Sequence, residues 1–137
     1  MAINTDAFRH RCVHHRVLAV QGRRSPGCAL ALERIRTDEA RAPRLWWFKV
    51  RNMLIVSERR NRLTEADTAA FLRGLARLGV SIDRSPDDAT MLALARQHRL
   101  TVYDAAYLEL AQRQGIPLVT LDTALARAAQ TARVPLL

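Results

Sequence analysis

Two cysteines, Cys12 and Cys28, are all the thiols in 137 residues, and they stand at no short spacing. A disulfide framework and a cysteine-rich zinc site are therefore excluded, and both thiols are expected to stay reduced in a cytoplasmic protein. Long apolar runs are missing as well. Stretches such as Leu45-Trp46-Trp47-Phe48 and Met53-Leu54-Ile55-Val56 fall far short of the ~20 residues that a membrane helix needs, so no span is expected. No apolar stretch of signal-peptide length stands near Met1. The five glycines form no phosphate-cradling loop, and no Ser/His/Asp set occurs at a familiar spacing. Acidic residues are scarce: 13 against 22 basic ones, for a formal net charge of +9. Lysine is scarcer still, with Lys49 alone among the 22 and arginine making up the rest.

What is present fits one globular domain. Hydrophobic residues make up 49% and charged residues 26%, enough apolar surface to drive folding. The arginine excess admits two readings: a solvated surface, or a polyanionic partner, since the planar guanidinium fork suits phosphate. Residues 1–27 carry Arg9, Arg11, Arg16, Arg23 and Arg24 against Asp6 alone, show neither a helical stripe nor clear alternation, and form a divergent basic segment. His10, Cys12, His14 and His15 in that segment match no standard zinc spacing and read as part of a solvated basic tail.

From Cys28 onward the pattern is orderly. Residues 28–36 predict a short helix and residues 44–60 a long one entered at Pro43 and stopped at Asn61. Thr64-Glu65-Ala66-Asp67 is an acidic capping box, opening a helix with Phe71, Leu75 and Leu78 inside and Gly79 at its end. Val80-Ser81-Ile82 predicts a strand, and Ser85-Pro86-Asp87-Asp88 opens a helix to about His98 with Met91, Leu92, Leu94 and Ala95 inside. Thr101 to Asp104 repeats the cap pattern for a helix through Gln114, closed by Gly115. Residues 117–121 predict a buried strand, residues 123–132 an alanine-rich helix and residues 134–137 an edge strand. Alternating strands and helices imply an α/β fold with a mainly parallel central sheet flanked by helices, whose ligand crevice lies beyond the carboxyl ends of the strands. Asp122 follows such a strand directly.

Three segments carry a family resemblance: residues 100–111 (LTVYDAAYLELA), 115–122 (GIPLVTLD) and 125–129 (LARAA). Together they resemble the carboxyl-terminal half of PIN-domain ribonucleases, most nearly the VapC toxin type, and the likeness extends back through the helix bearing Leu45-Trp46 and Val50-Arg51-Asn52. It covers residues 28–137 of a single PIN-like, three-layer domain spanning 1–137. The resemblance implies a toxin-type endoribonuclease that hydrolyses RNA with Mg²⁺ or Mn²⁺, pairs with a VapB-type antitoxin and forms a homodimer. It implies metal-holding, catalytic roles for Asp104, Asp122 and Asp6, a site-shaping hydroxyl at Thr120 and the helix asparagine at Asn52.

One departure from the family pattern is chemical. The family has Glu-Val-x-Asn where this chain reads Lys49-Val50-Arg51-Asn52, so an ammonium replaces a carboxylate. On a helical wheel Lys49 shares the face of Leu45, Asn52, Met53 and Val56, so it is expected to turn inward. A unit-charge interaction at ~4 Å is worth about 4 kcal/mol at an effective dielectric near 20. Even half of that would lower metal occupancy more than about tenfold. The alternative expectation is a non-catalytic PIN-like module that binds an antitoxin or RNA. Near Asp6, Phe8 stands where the family has a small hydroxyl residue.

Overall fold

The computed structural model describes residues 1–3 and 39–137. The predicted helix over residues 28–36, the histidine segment and Asp6 lie outside the described residues. Among the described residues four strands form one parallel sheet: β1 (Ala2–Ile3), β2 (Arg41–Pro43), β3 (Ser81–Asp83) and β4 (Leu118–Val119), in the order β3-β2-β1-β4. Among the described residues five helices flank it: α1 (Leu45–Arg59), α2 (Glu65–Ala76), α3 (Asp88–His98), α4 (Val102–Gln114) and α5 (Thr123–Thr131). This is the expected α/β architecture.

The centre of the sheet is made of small pieces. Ala2 and Ile3 are fully buried, and β1 pairs with β2 on one side and β4 on the other, in register Ala2 to Leu118 and Ile3 to Val119. Burial on both faces suits parallel strands, and each Ile or Leu so buried contributes ~1.5–3 kcal/mol. Strand β2 was not foreshadowed by its composition, because Arg41-Ala42-Pro43 contains no β-branched or aromatic residue. Its neighbours make it a strand: Arg41 N–H donates to the Met1 carbonyl at 2.8 Å and Ser81 N–H donates to the Ala40 carbonyl at 2.8 Å. Pro43, expected as a helix entry residue, is the last residue of β2, where the missing N–H interrupts no further ladder.

Side-chain caps set the starts of α2, α3, α4 and α5, while α1 begins after Arg44 without one. Thr64 Oγ1 accepts the Asp67 N–H at 3.1 Å while Asp67 Oδ2 accepts the Thr64 N–H at 2.9 Å, the reciprocal box expected for α2. Gly115 closes α4 at φ +62°, a left-handed turn that costs glycine little. Asn61 takes the same kind of conformation beyond α1, at φ +53°.

Two corrections concern burial and extent. Leu92, expected inside α3, is 38% exposed, because the face of α3 that meets α4 is centred on Leu94. The edge strand expected over residues 134–137 is a single parallel bridge from Leu136 to Leu118, and the strand expected over 117–121 narrows to Leu118–Val119. Pro117 and Pro135 have no N–H with which to extend the ladder ahead of Leu118 and Leu136, and Thr120 and Leu121 leave it at the other end of β4. Among the described residues no helix is long and apolar enough to cross a membrane.

Candidate functional site

The strand order sets where a site can form. From β1 the chain goes to β2 and β3 on one side and then returns to β4 on the other, so the order reverses between β1 and β4. Ligands of open parallel sheets bind outside the carboxyl ends of the strands at such a reversal. Asp122 lies there, three residues after the last residue of β4, and forms the N-cap of α5. Its Oδ1 accepts the Leu125 N–H at 2.8 Å, and its own N–H donates to Thr120 Oγ1 at 3.1 Å. These bonds fix the carboxylate against the helix end, with Thr120 shaping the turn.

Helix α4 brings its first turn toward the same end. Its last turn passes through Gly115 directly into β4, and Gln114 Oε1 accepts a hydrogen bond from Arg41 Nη1, at the start of β2, at 3.2 Å. The helix therefore runs against the strands, and 13 residues at 1.5 Å each carry its amino end about 20 Å away. Asp104, in that first turn, is half-buried. Its Oδ2 accepts from Thr101 Oγ1 at 2.6 Å, and its N–H donates back to Thr101 Oγ1 at 3.1 Å. Each aspartate thus spends one oxygen on its helix cap, and the other carries no hydrogen bond among the described residues.

Lys49 turns inward, as the wheel predicted. Leu45, Lys49, Met53 and Val56 are half-buried along one side of α1, next to the fully buried row Trp46, Val50, Leu54 and Ser57. The Lys49 ammonium lies 5.6 Å from the centroid of the Tyr103 ring and 5.4 Å from that of Tyr107, on the residues just before and one turn after Asp104. Its charge is held by two ring faces, and among the described residues it forms no ion pair with either aspartate. Asn52 departs from the face it was assigned and is exposed. Asp6 lies outside the described residues.

The donor chemistry suits a hard divalent cation in a limited way. Mg²⁺ is commonly held by one or two carboxylates with water and substrate phosphate completing the octahedron, which Asp104 and Asp122 can supply. Among the described residues no three His, Cys, Asp or Glu side chains converge on one point, so no closed protein cage is formed.

Beside this end of the sheet lie two features that composition did not single out. A cavity of about 330 Å³ opens beyond β2 and β3 and runs along α4. Under it, Glu109 is 1% exposed and ties three elements together. Its Oε1 accepts Arg113 Nε at 2.6 Å and the Asp87 N–H at 3.3 Å, while Arg113 Nη2 donates to Asp83 Oδ2 at 2.8 Å. The hydrogen bond to Glu109, then that to Asp83, hold the Arg113 guanidinium's proton more firmly than usual. The i,i+4 spacing of Glu109 and Arg113 was the available signal for this clasp.

Comparison with known proteins agrees with this architecture. The chain is similar in fold to PAE2754 from Pyrobaculum aerophilum, whose crystal structure it matches with a TM-score of 0.63 at 23% identity, over 93% of this chain and 84% of that one. No curated protein matches the sequence. The sequence model of the PIN domain matches residues 17–130, a stretch that holds Lys49, Asn52, Asp104, Thr120 and Asp122 and leaves out Asp6. PIN domains are generally metal-dependent nucleases, and this chain belongs to the PIN-domain family.

Proposed function

We propose that this protein is an endoribonuclease of the VapC toxin type that hydrolyses RNA phosphodiester bonds with Mg²⁺ or Mn²⁺, acting in the cytoplasm under the control of a VapB-type antitoxin. The observation that carries the reading is Asp122 at the strand-order reversal, with Asp104 in the first turn of a helix that points to the same sheet end. Asp104 and Asp122 would hold the metal, with Asp6 as a third ligand. When bound, the cation supplies an activated water and neutralises the scissile phosphate.

The chain's own residues orient that chemistry. Thr101 Oγ1 donates to one Asp104 oxygen and the Leu125 N–H donates to one Asp122 oxygen, so each carboxylate presents its remaining oxygen in a fixed direction. Thr120 holds the Asp122 backbone. A protein partner, antitoxin or second copy, is supported by the exposed apolar side chains of α1, where Phe48 is 63% exposed and Trp47 and Ile55 are also open to solvent.

Lys49 favours a second reading, a PIN-like module that binds RNA or antitoxin without cleaving. Its ammonium lies on the rings that bracket Asp104, where the family pattern has a carboxylate. Cleavage of a structured RNA with Mn²⁺ or Mg²⁺ separates the two. Activity that is lost in Asp104→Asn supports the enzyme; an inactive parent that still binds RNA and gains no cleavage as Lys49→Glu supports the binding module.

A further inference from the structure

The cavity of about 330 Å³ next to the acid-bearing end of the sheet has the build of a nucleobase pocket. Its walls are apolar: Pro43 from the end of β2, Pro86 just before α3, Met91 from the first turn of α3, and Val102 and Ala106 from α4. Tyr103 stands at its mouth and is 62% exposed, an aromatic face open to solvent on a rigid helix. That volume lies near the lower end of ligand pockets, about 300–1,000 Å³, which suits one ring system.

The charges around it select an anion. Arg44 and Arg84 line the cavity and are both exposed. The two carboxylates in its lining, Asp83 and Glu109, are both engaged by Arg113, so the two rim guanidiniums are left to act outward. An apolar slot with an aromatic mouth and cationic rim matches an unstacked base carrying its phosphates, in the way single-stranded nucleic acid is held by stacking platforms.

We propose that this cavity receives one unstacked base of single-stranded RNA, stacked on Tyr103, with the flanking phosphates on Arg44 and Arg84. The inference rests on the nuclease reading and deepens it. Tyr103 immediately precedes Asp104 in the first turn of α4, and Lys49 lies over the Tyr103 ring, so a base seated here fixes which phosphodiester reaches the acids. The pocket is thereby a specificity element, selecting the nucleotide beside the scissile bond.

The test measures binding, without metal, of a fluorescein-labelled hexaribonucleotide and of versions in which one abasic position is walked along it. One position is expected to cost the parent protein about five- to a hundredfold in affinity, the worth of one base–aromatic stack. That position-specific cost should disappear in Tyr103→Ala and persist in Tyr103→Phe, which keeps the ring; Tyr103 is exposed enough for both variants to fold. Arg44→Glu with Arg84→Glu should weaken every oligonucleotide and reduce the salt dependence of binding. Equal affinity at all abasic positions, or an unchanged profile in Tyr103→Ala, overturns the pocket while leaving the nuclease reading to its own cleavage assay. Parent protein that binds no RNA overturns both. A Tyr103→Ala variant that binds RNA normally but loses a VapB-type peptide assigns the cavity to protein docking and overturns the proposal.

Discussion

The Lys49 ammonium lies 5.4 Å from the centroid of the fully buried Tyr107 ring, joining α1 to α4 beside the first turn that carries Asp104. A carboxylate at position 49 would meet the negative ring face unfavourably, so the lysine and the two tyrosines suit each other. Replacement by the family residue should therefore have opposite effects on stability and on metal binding. Lys49→Glu is expected to lose ~0.5–1 kcal/mol of stability in urea titration. It should raise Mn²⁺ affinity of the RNA-free protein more than about tenfold by calorimetry. Unchanged Mn²⁺ binding would show that residue 49 does not act on the metal position.

Asp104→Asn and Asp122→Asn separate chemistry from capping. At position 122, the N-cap of α5, asparagine is as good an acceptor as aspartate, and at position 104 its Oδ1 can still accept the Thr101 hydroxyl, so both variants should keep their melting temperatures within a few degrees. RNA cleavage should fall by at least about 100-fold in each, since loss of a metal ligand exceeds the 10–100-fold typical of its supporting groups. A variant with full activity removes that aspartate from the reaction.

Arg113 is the next point of failure. Glu109 is almost wholly buried, and the guanidinium supplies two of its hydrogen bonds, at 2.6 and 3.3 Å. Arg113→Met leaves that carboxylate without its cation and is expected to cost ~3–5 kcal/mol. Adding Glu109→Gln should recover much of the loss, because the buried charge goes with it. Denaturation midpoints of the two single variants and the double variant test the coupling; simple additivity would count against it.

Acid stability should carry a mark of Asp87. The Thr90 hydroxyl and then the Thr90 N–H donate to its carboxylate and hold its pKa below the ordinary 3.8. Because the folded value is depressed, this contribution is fully present above pH 3.8 and is lost as pH falls through the folded value. Asp87→Ala should therefore be less stable at neutral pH, and the gap to the parent should close on acidification below that range. A gap that stays constant with pH would mean the cap acts without its charge.

Legibility in the sequence followed the range of the interactions. Helix starts at Thr64 and Thr101 and the end at Gly115 were readable because a cap is settled within four residues, whereas α2 stops at Ala76, short of the end expected at Gly79. Asp122 was readable as an acid closing a strand, and the inward turn of Lys49 followed from helical spacing. Strand β2 was not, because Arg41-Ala42-Pro43 is a strand only by virtue of the backbones of β1 and β3 on either side. The seating of Lys49 on Tyr103 and Tyr107, the tie of the Glu109–Arg113 pair to Asp83 and Asp87, and the apolar cavity with arginines at its rim share that origin. Each joins residues distant in the chain, so local pattern determined the elements and the acids at their ends, while packing of the helices on the sheet decided what stands beside those acids.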